Sequence, residues 1–331
     1  PPFRIPQVPS YVLDLLRRSR RLFVTLMKVM LPVMIAVQIA SHLGWVDALG
    51  RAIGPAMGLL NLPPEAGLIW VTGVFVGVYG AIAAMIGLAA SLDITTGQLS
   101  ALCAMVLFAH ALPVEQAIVR RAGASFWATA ALRLGVAIVY GGSVAWFSAW
   151  SGLMTEPVSL AWLQGNGASA GADAGAASAF VAWLQSTAFS LALTFAIIVG
   201  LLVLLDLLER SGITPRITAA LTPLLKFSGL ESRAAPVTTV GVLLGLSYGG
   251  ALIIDEAERQ QFPARTRFLA LSWLSLSHSL IEDTALLVAL GAEIWIVLVG
   301  RVLVTLLVVA ALARLLGGGD RASEPLAAQA G

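Results

Sequence analysis

"FAHALPVEQAIVRRAGASFW", residues 108–127, and "LSHSLIEDTALLVALGAEIW", residues 276–295, are two polar passages set among long apolar runs. Moving the second back by 168 residues, without a gap, lays His278 on His110, Leu280 on Leu112, Gly291 on Gly123 and Trp295 on Trp127. The same shift pairs Gly44 with Gly212, Pro55 with Pro223, Leu62 with Leu230, Gly73 with Gly241, Gly77 with Gly245, and Arg133 with Arg301. Matches of Gly and Leu cost little in an apolar chain. The sequence has only 3 histidines, however, and two of them fall in register. The chain therefore reads as an internal duplication.

Composition sets the class: 58% hydrophobic and 11% charged residues lie far outside the range of soluble domains. Uncharged runs near 66–92, 94–114, 134–155, 174–205 and 234–254 are long enough to cross the ~30 Å hydrocarbon core. They are continuous and rich in Leu, Ala, Val and Gly, without the alternation of a β-barrel. The expected fold class is an all-α polytopic membrane protein. The formal charge of +2 carries no nucleic-acid patch, and the lone Cys103 reads as packing, with no disulfide or cysteine cluster within one chain.

Five units follow from composition: a basic amphipathic N-terminal segment (1–28), a first repeat (29–150), a Gly/Ala/Ser linker (151–177), a second repeat (178–316) and a disordered C-terminal tail (317–331). Arg17, Arg18, Arg20, Arg21 and Lys28 assign the N-terminus to the cytoplasm by the positive-inside rule. Equivalent loops carry unequal basic charge. The loop 43–65 holds only Arg51, against Arg210, Arg216, Lys226 and Arg233 in 210–233. Residues 93–98 hold none, against Arg259, Arg265 and Arg267 in 258–267. The bias reverses at Arg120 and Arg121, whose counterpart loop 286–293 has no basic residue. Two repeats of inverted topology account for all three differences. Inversion needs an odd number of crossings per half, so one of four apolar segments in each half must fail to cross. The glycine-rich "TGVFVGVYGAIAAMIG" (72–87) and "VGVLLGLSYGGALII" (240–254) are the candidates for re-entrant hairpins. Their backbone residues are Gly73, Gly77 and Gly80, and Gly241, Gly245, Tyr248, Gly249 and Gly250. Small-residue helix packing is the competing reading. The expectation is six crossings plus two hairpins in a bacterial-type inner membrane, both termini cytoplasmic. Eight crossings in parallel repeats is the alternative.

A Pro-containing first helix, a short Gly/Pro connection, a Gly-rich segment and "SHSLIEDT" (277–284) resemble the nucleoside recognition or Gate-domain family of membrane proteins. Spore maturation proteins belong to that broad group. Gate-type segments also occur in concentrative nucleoside transporters and in the membrane domain of the ferrous iron transporter B. The resemblance runs from about residue 25 to 315 and implies a transport-like role. The chain has no P-loop of the form GxxxxGK[ST], so nucleotide-driven transport by this chain alone is not expected.

An ionisable group inside a membrane costs about 2.5–3.5 kcal/mol and marks a cavity or a partner. The candidates for substrate binding or coupling are His110, Glu115 and Arg133 in the first half, and Ser277, His278, Glu282, Asp283, Thr284 and Arg301 in the second. His278 and Glu282, four apart, would share a helix face, and Pro113 would kink the first-half helix. Glu115 lies eight residues before Gly123 and Arg133 ten after it. Antiparallel helices would then bring the two to one depth, about 12–15 Å from the turn. The same arithmetic pairs Asp283 with Arg301. Buried ion pairs serve as structural glue as readily as substrate sites. The second half has the richer cluster, which points to one pocket used unequally by the two halves. His42, Asp47 and Asp206 fall near helix ends and read as interfacial.

The expected function is a secondary transporter of a small polar or anionic solute, nucleoside-like by the resemblance, with proton or cation coupling and homo-oligomerisation both compatible. A divalent metal ion or a lipid carrier as cargo is one alternative, and a non-transporting membrane scaffold is another. No HExxH, GxSxG or lipid-phosphatase motif supports an enzyme, and no cofactor is implied.

Overall fold

The computed structural model describes residues 8–164, 176–232, 234–245, 253–256, 259 and 261–316. Tyr248, Gly249 and Gly250 of the second glycine-rich segment, and the tail 317–331, lie outside the described residues.

Glycine and proline stops divide the first half. Helix α1 (Val8–His42) ends at Gly44, whose φ of 68° starts α2 (Trp45–Leu59), and Pro63 and Pro64 open α3 (Pro64–Val76). Gly77, at φ 112° and ψ −178°, separates α3 from α4 (Val78–Leu88). A capping box of Thr95 and Gln98 starts α5 (Thr96–Phe108), which is followed by α6 (Leu112–Arg121) and α7 (Phe126–Ser151). A two-residue antiparallel pairing joins β1 (Ile94–Thr95) to β2 (Pro157–Val158), so the start of the expected linker is tied back onto the first repeat.

The second half repeats these boundaries at the 168-residue offset. Helices α8 (Ala176–Arg210) and α9 (Ile213–Phe227) begin and end at the counterparts of α1 and α2, with Gly212 at φ 69° between them. Helix α10 (Ala235–Leu244) stops at Gly245, φ 103°, as α3 stops at Gly77. Helices α11 (Ala264–Ser277) and α12 (Glu282–Ala289) follow, and a π-helical turn, Trp295–Gly300, leads into α13 (Arg301–Leu315). Left-handed residues recur as well: Ala111 (φ 47°) with Ser279 (φ 49°), and Gly123 (φ 92°) with Gly291 (φ 104°). The duplication is thus a property of the backbone as well as of the residue pattern.

Helices α5 and α11 are apolar and buried on nearly all faces, Leu99 and Ala101–Phe108 in one and Leu269–Ser277 in the other, which makes them the centre of the molecule. Around them, Trp127 and Trp150 stand exposed at the two ends of α7, the placement of a membrane-interface aromatic belt. By length and composition 4 helices suit a membrane crossing: Thr96–Arg121 (α5 with α6), Phe126–Ser151, Phe180–Leu204 and Trp295–Leu315. A bent pair, Ala48–Leu59 with Pro64–Val76, brings the number to 5 if taken as one span. The chain is an all-α, multi-pass membrane protein. The α11–α12 segment, counterpart of α5–α6, is not among these spans.

Helices α3 and α4 fold back on each other at Gly77. A Cβ on Gly73 would sit 3.2 Å from that of Ala81, and one on Gly80 would meet Val76 and Thr72, contacts impossible along a straight helix. At Gly77 space is not the constraint, since an added Cβ would lie 3.6 Å from Ala111 Cβ. The backbone angle is. Gly77→Ala is expected to cost about 1–3 kcal/mol in thermal unfolding. Gly135→Ala, at an open position within α7, should be neutral or stabilise by up to about 1 kcal/mol. Equal effects at the two sites would refute the strained turn.

Candidate functional site

The polar passages do not continue as helices. Helix α5 ends at Phe108 and α6 begins at Leu112, and α11 ends at Ser277 with α12 beginning at Glu282. Each break leaves backbone carbonyls without an intrahelical donor. An arginine supplies them. Arg133 donates from Nε to Phe108 O (2.7 Å) and from Nη2 to His110 O (2.9 Å). Arg301 donates from Nε to Leu276 O (2.9 Å) and from Nη2 to His278 O (3.0 Å) and Leu107 O (3.3 Å). Both arginines are fully buried. Pro113 is not the cause of the break, because the second half breaks at the same place with Ile281 at the equivalent position. The expected helix face shared by His278 and Glu282 does not exist either, since the chain unwinds between them.

The two histidine breaks meet, and each touches a glycine-stopped helix. Ala111 N donates to Gly73 O (2.9 Å) and Leu280 N to Val242 O (3.2 Å), so each histidine break is bonded to the glycine-stopped helix of its own half. At the centre His110 Nε2 stands 2.9 Å from His278 Nε2. The same atom of each half meets its counterpart, as across a two-fold axis. The carboxylates follow that relation: Glu115 Oε1 lies 3.1 Å from His278 Nε2, and Asp283 Oδ2 lies 3.9 Å from His110 Nε2. Glu115 Oε1 also lies 3.3 Å from His110 Nε2. His110, His278 and Asp283 are buried, and their potential ligand atoms lie within 4.8 Å of one another.

Each ring is held from behind. His110 Nδ1 bonds Val106 O at 2.9 Å and His278 Nδ1 bonds Leu274 O at 2.8 Å. A carbonyl oxygen can only accept, so both Nδ1 atoms carry a proton and donate it. In neutral rings both Nε2 atoms are then bare lone pairs 2.9 Å apart. That arrangement is repulsive without a cation between or beside them.

Of the expected ion pairs, one forms. Arg133 Nη1 bonds Glu115 Oε2 at 2.5 Å. Asp283, one methylene shorter, makes no ion pair with Arg301, whose Nη1 is buried without a hydrogen-bond partner. The carboxylate touching both histidines is Glu115 of the first half. Other expected residues lie outside the cluster. Ser277 Oγ bonds Thr305 Oγ1 at 2.7 Å and ties α11 to α13. Thr284 faces an apolar groove of about 800 Å³ formed also by Leu221, Leu224, Leu298 and Val302. Glu282 Oε1 accepts from the Tyr79 hydroxyl at 3.4 Å. Tyr79, at the start of α4, was not among the expected site residues; its place two residues after the helix-stopping Gly77 was the available signal. Asp206 pairs with Arg18 at 2.6 Å and links α8 to α1.

The chain is 28% identical over 297 residues to the uncharacterized membrane protein YvoD of Bacillus subtilis (strain 168), covering 87% of this chain and 89% of that relative. No solved structure matches it. The family model described as Gate, nucleoside recognition, matches residues 23–125; of the resemblance expected over about 25–315 this covers the first repeat, and "SHSLIEDT" (277–284) lies outside the match.

Proposed function

We propose that the protein is a secondary transporter of a small polar solute, with its site at the meeting point of two inverted repeats. The observation that carries this reading is the convergence of broken helices from both halves on one buried cluster of His110, His278, Glu115 and Asp283. Discontinuous helices place helix termini and free carbonyls around a central ligand, and repeats of opposite orientation rock about it to expose it to either side. The Gate match and the membrane relative support a transport-related role. In this reading the solute or its coupling ion occupies the cluster, both termini are cytoplasmic and the membrane is a bacterial-type inner membrane.

Reconstituted protein should show flux into proteoliposomes for at least one member of a panel of nucleosides, small anions and divalent cations, under an imposed pH or ion gradient. Protein that folds yet moves none of them would favour a scaffold. The inverted arrangement has its own check. Ser91 and Arg259 are exposed and equivalent under the 168-residue shift. Cysteines placed at the two should label from opposite sides with an impermeant maleimide, and the native Cys103 is buried. Labelling of both from one side would replace inversion by parallel repeats.

A further inference from the structure

We propose that the central cluster is a binding site for a divalent first-row transition cation, with zinc the best fit, ligated by His110 Nε2, His278 Nε2 and Glu115 Oε1, and with Asp283 as the fourth ligand. The proposal rests on the transport reading for its purpose, while its chemistry stands on the cluster alone.

Three atoms define the face of the site. The edges are 2.9 Å between the two Nε2 atoms and 3.1 and 3.3 Å from these to Glu115 Oε1. Ligands about 2.0–2.1 Å from a tetrahedral zinc stand about 3.3 Å from one another. The three atoms therefore already form a tetrahedral face, and Asp283, whose Oδ2 is 3.9 Å from His110 Nε2 and which groups with both histidines within 4.8 Å, offers the fourth corner. Tautomers agree: with Nδ1 of each ring committed to Val106 O or Leu274 O, both Nε2 lone pairs are free to bind metal. That back-bonding is the usual outer support of a ligating histidine. Arg133 holds Glu115 by Oε2 and leaves Oε1 to the cluster. Two imidazoles and two carboxylates suit zinc and its neighbours, whereas calcium and magnesium require more oxygen atoms.

Charge bears on affinity. Glu115, Asp283 and Glu282 face Arg133 and Arg301, with Tyr79 beside Glu282. Three carboxylates against two guanidiniums leave one negative charge, which a divalent ion overshoots by one. The surplus weakens binding, as a site that must release its ion requires. An anion at the unpartnered Arg301 Nη1 would restore neutrality. A single proton shared by the two rings would balance the charge as well. A protonated ring pair would draw Glu115 Oε1 to both nitrogens too, so calorimetry and the cobalt spectrum separate the metal from the proton.

The test is zinc titration calorimetry on the full chain in detergent, with the visible ligand-field bands of cobalt as a report of geometry. One ion per chain with a tetrahedral cobalt spectrum is expected. His278→Ala and Glu115→Gln should each lower affinity by more than about 100-fold. His42→Ala, which alters only the end of α1, should bind as the parent does. If the cluster variants do not fold, X-ray absorption of zinc-loaded parent protein should still show imidazole nitrogens at about 2.0–2.1 Å. No binding, oxygen-only ligation, or binding retained when both histidines are replaced would overturn the proposal. Tight zinc binding without flux would instead remove the transport reading and leave the metal site standing.

Discussion

Arg133→Ala is expected to lower stability in detergent by about 3–5 kcal/mol, the cost of stranding a buried charge beside groups that lose their donors. Arg133 serves three partners: Glu115, and the carbonyls of Phe108 and His110. Its removal leaves Glu115 uncompensated against the cluster and leaves two carbonyls of the broken helix unpaired, each worth about 1–3 kcal/mol. Replacing Glu115 as well should recover only the charge component, because the carbonyls remain open. Arg133→Lys should also fall short of rescue, since a point ammonium does not reproduce a planar fork with partners on three sides. The parallel change Arg301→Ala should cost less. Arg301 caps Leu276, His278 and Leu107 but holds no carboxylate, so no charge is stranded in ion-pair contact. Thermal unfolding of the four variants checks the order. Equal losses at Arg133 and Arg301 would show that the stranded charge contributes little, whereas full recovery in the Arg133→Ala, Glu115→Ala double variant would show that capping contributes little.

Much of the architecture was legible because it depends on local chemistry that repeats. Glycines 44 and 212 fix helix starts, glycines 77 and 245 fix helix stops, and both pairs stand in register in the sequence. The Glu115–Arg133 pair followed from helix rise alone. The same arithmetic failed for Asp283 and Arg301, because depth along a helix is not reach, and aspartate is one methylene short. The histidine breaks were not legible. Nothing in "FAH" or "LSH" marks a helix end, and the stop becomes favourable only when an arginine some 25 residues on in sequence returns to cap it. Contact between His110 and His278 lay further out of view, since spacing within one repeat says nothing about the axis relating the two. Two of three histidines in register was the available clue.

His110→Ala and His278→Ala are expected to reduce transport alike, by about 100-fold or more each, the scale on which ligand spheres lose function. The expectation of equality comes from the geometry. Removing either ring takes away half of the 2.9 Å nitrogen pair and leaves the other ring near Glu115, at 3.1 or 3.3 Å. Neither remnant can hold a cation between two imidazoles. The double variant should therefore be little worse than either single, because groups acting as one unit do not contribute additively. Stability separates loss of function from loss of fold. Each ring bonds a carbonyl of its own helix, Val106 or Leu274, so a truncated ring removes one buried hydrogen bond and leaves a cavity. The helix break is capped by arginine and should persist. The variants should accordingly melt lower than the parent but cooperatively, with flux lost well below the melting range. If flux survives in one single variant and vanishes in the other, the site belongs to one repeat. The two-fold meeting of Nε2 atoms would then be a packing contact with no part in transport.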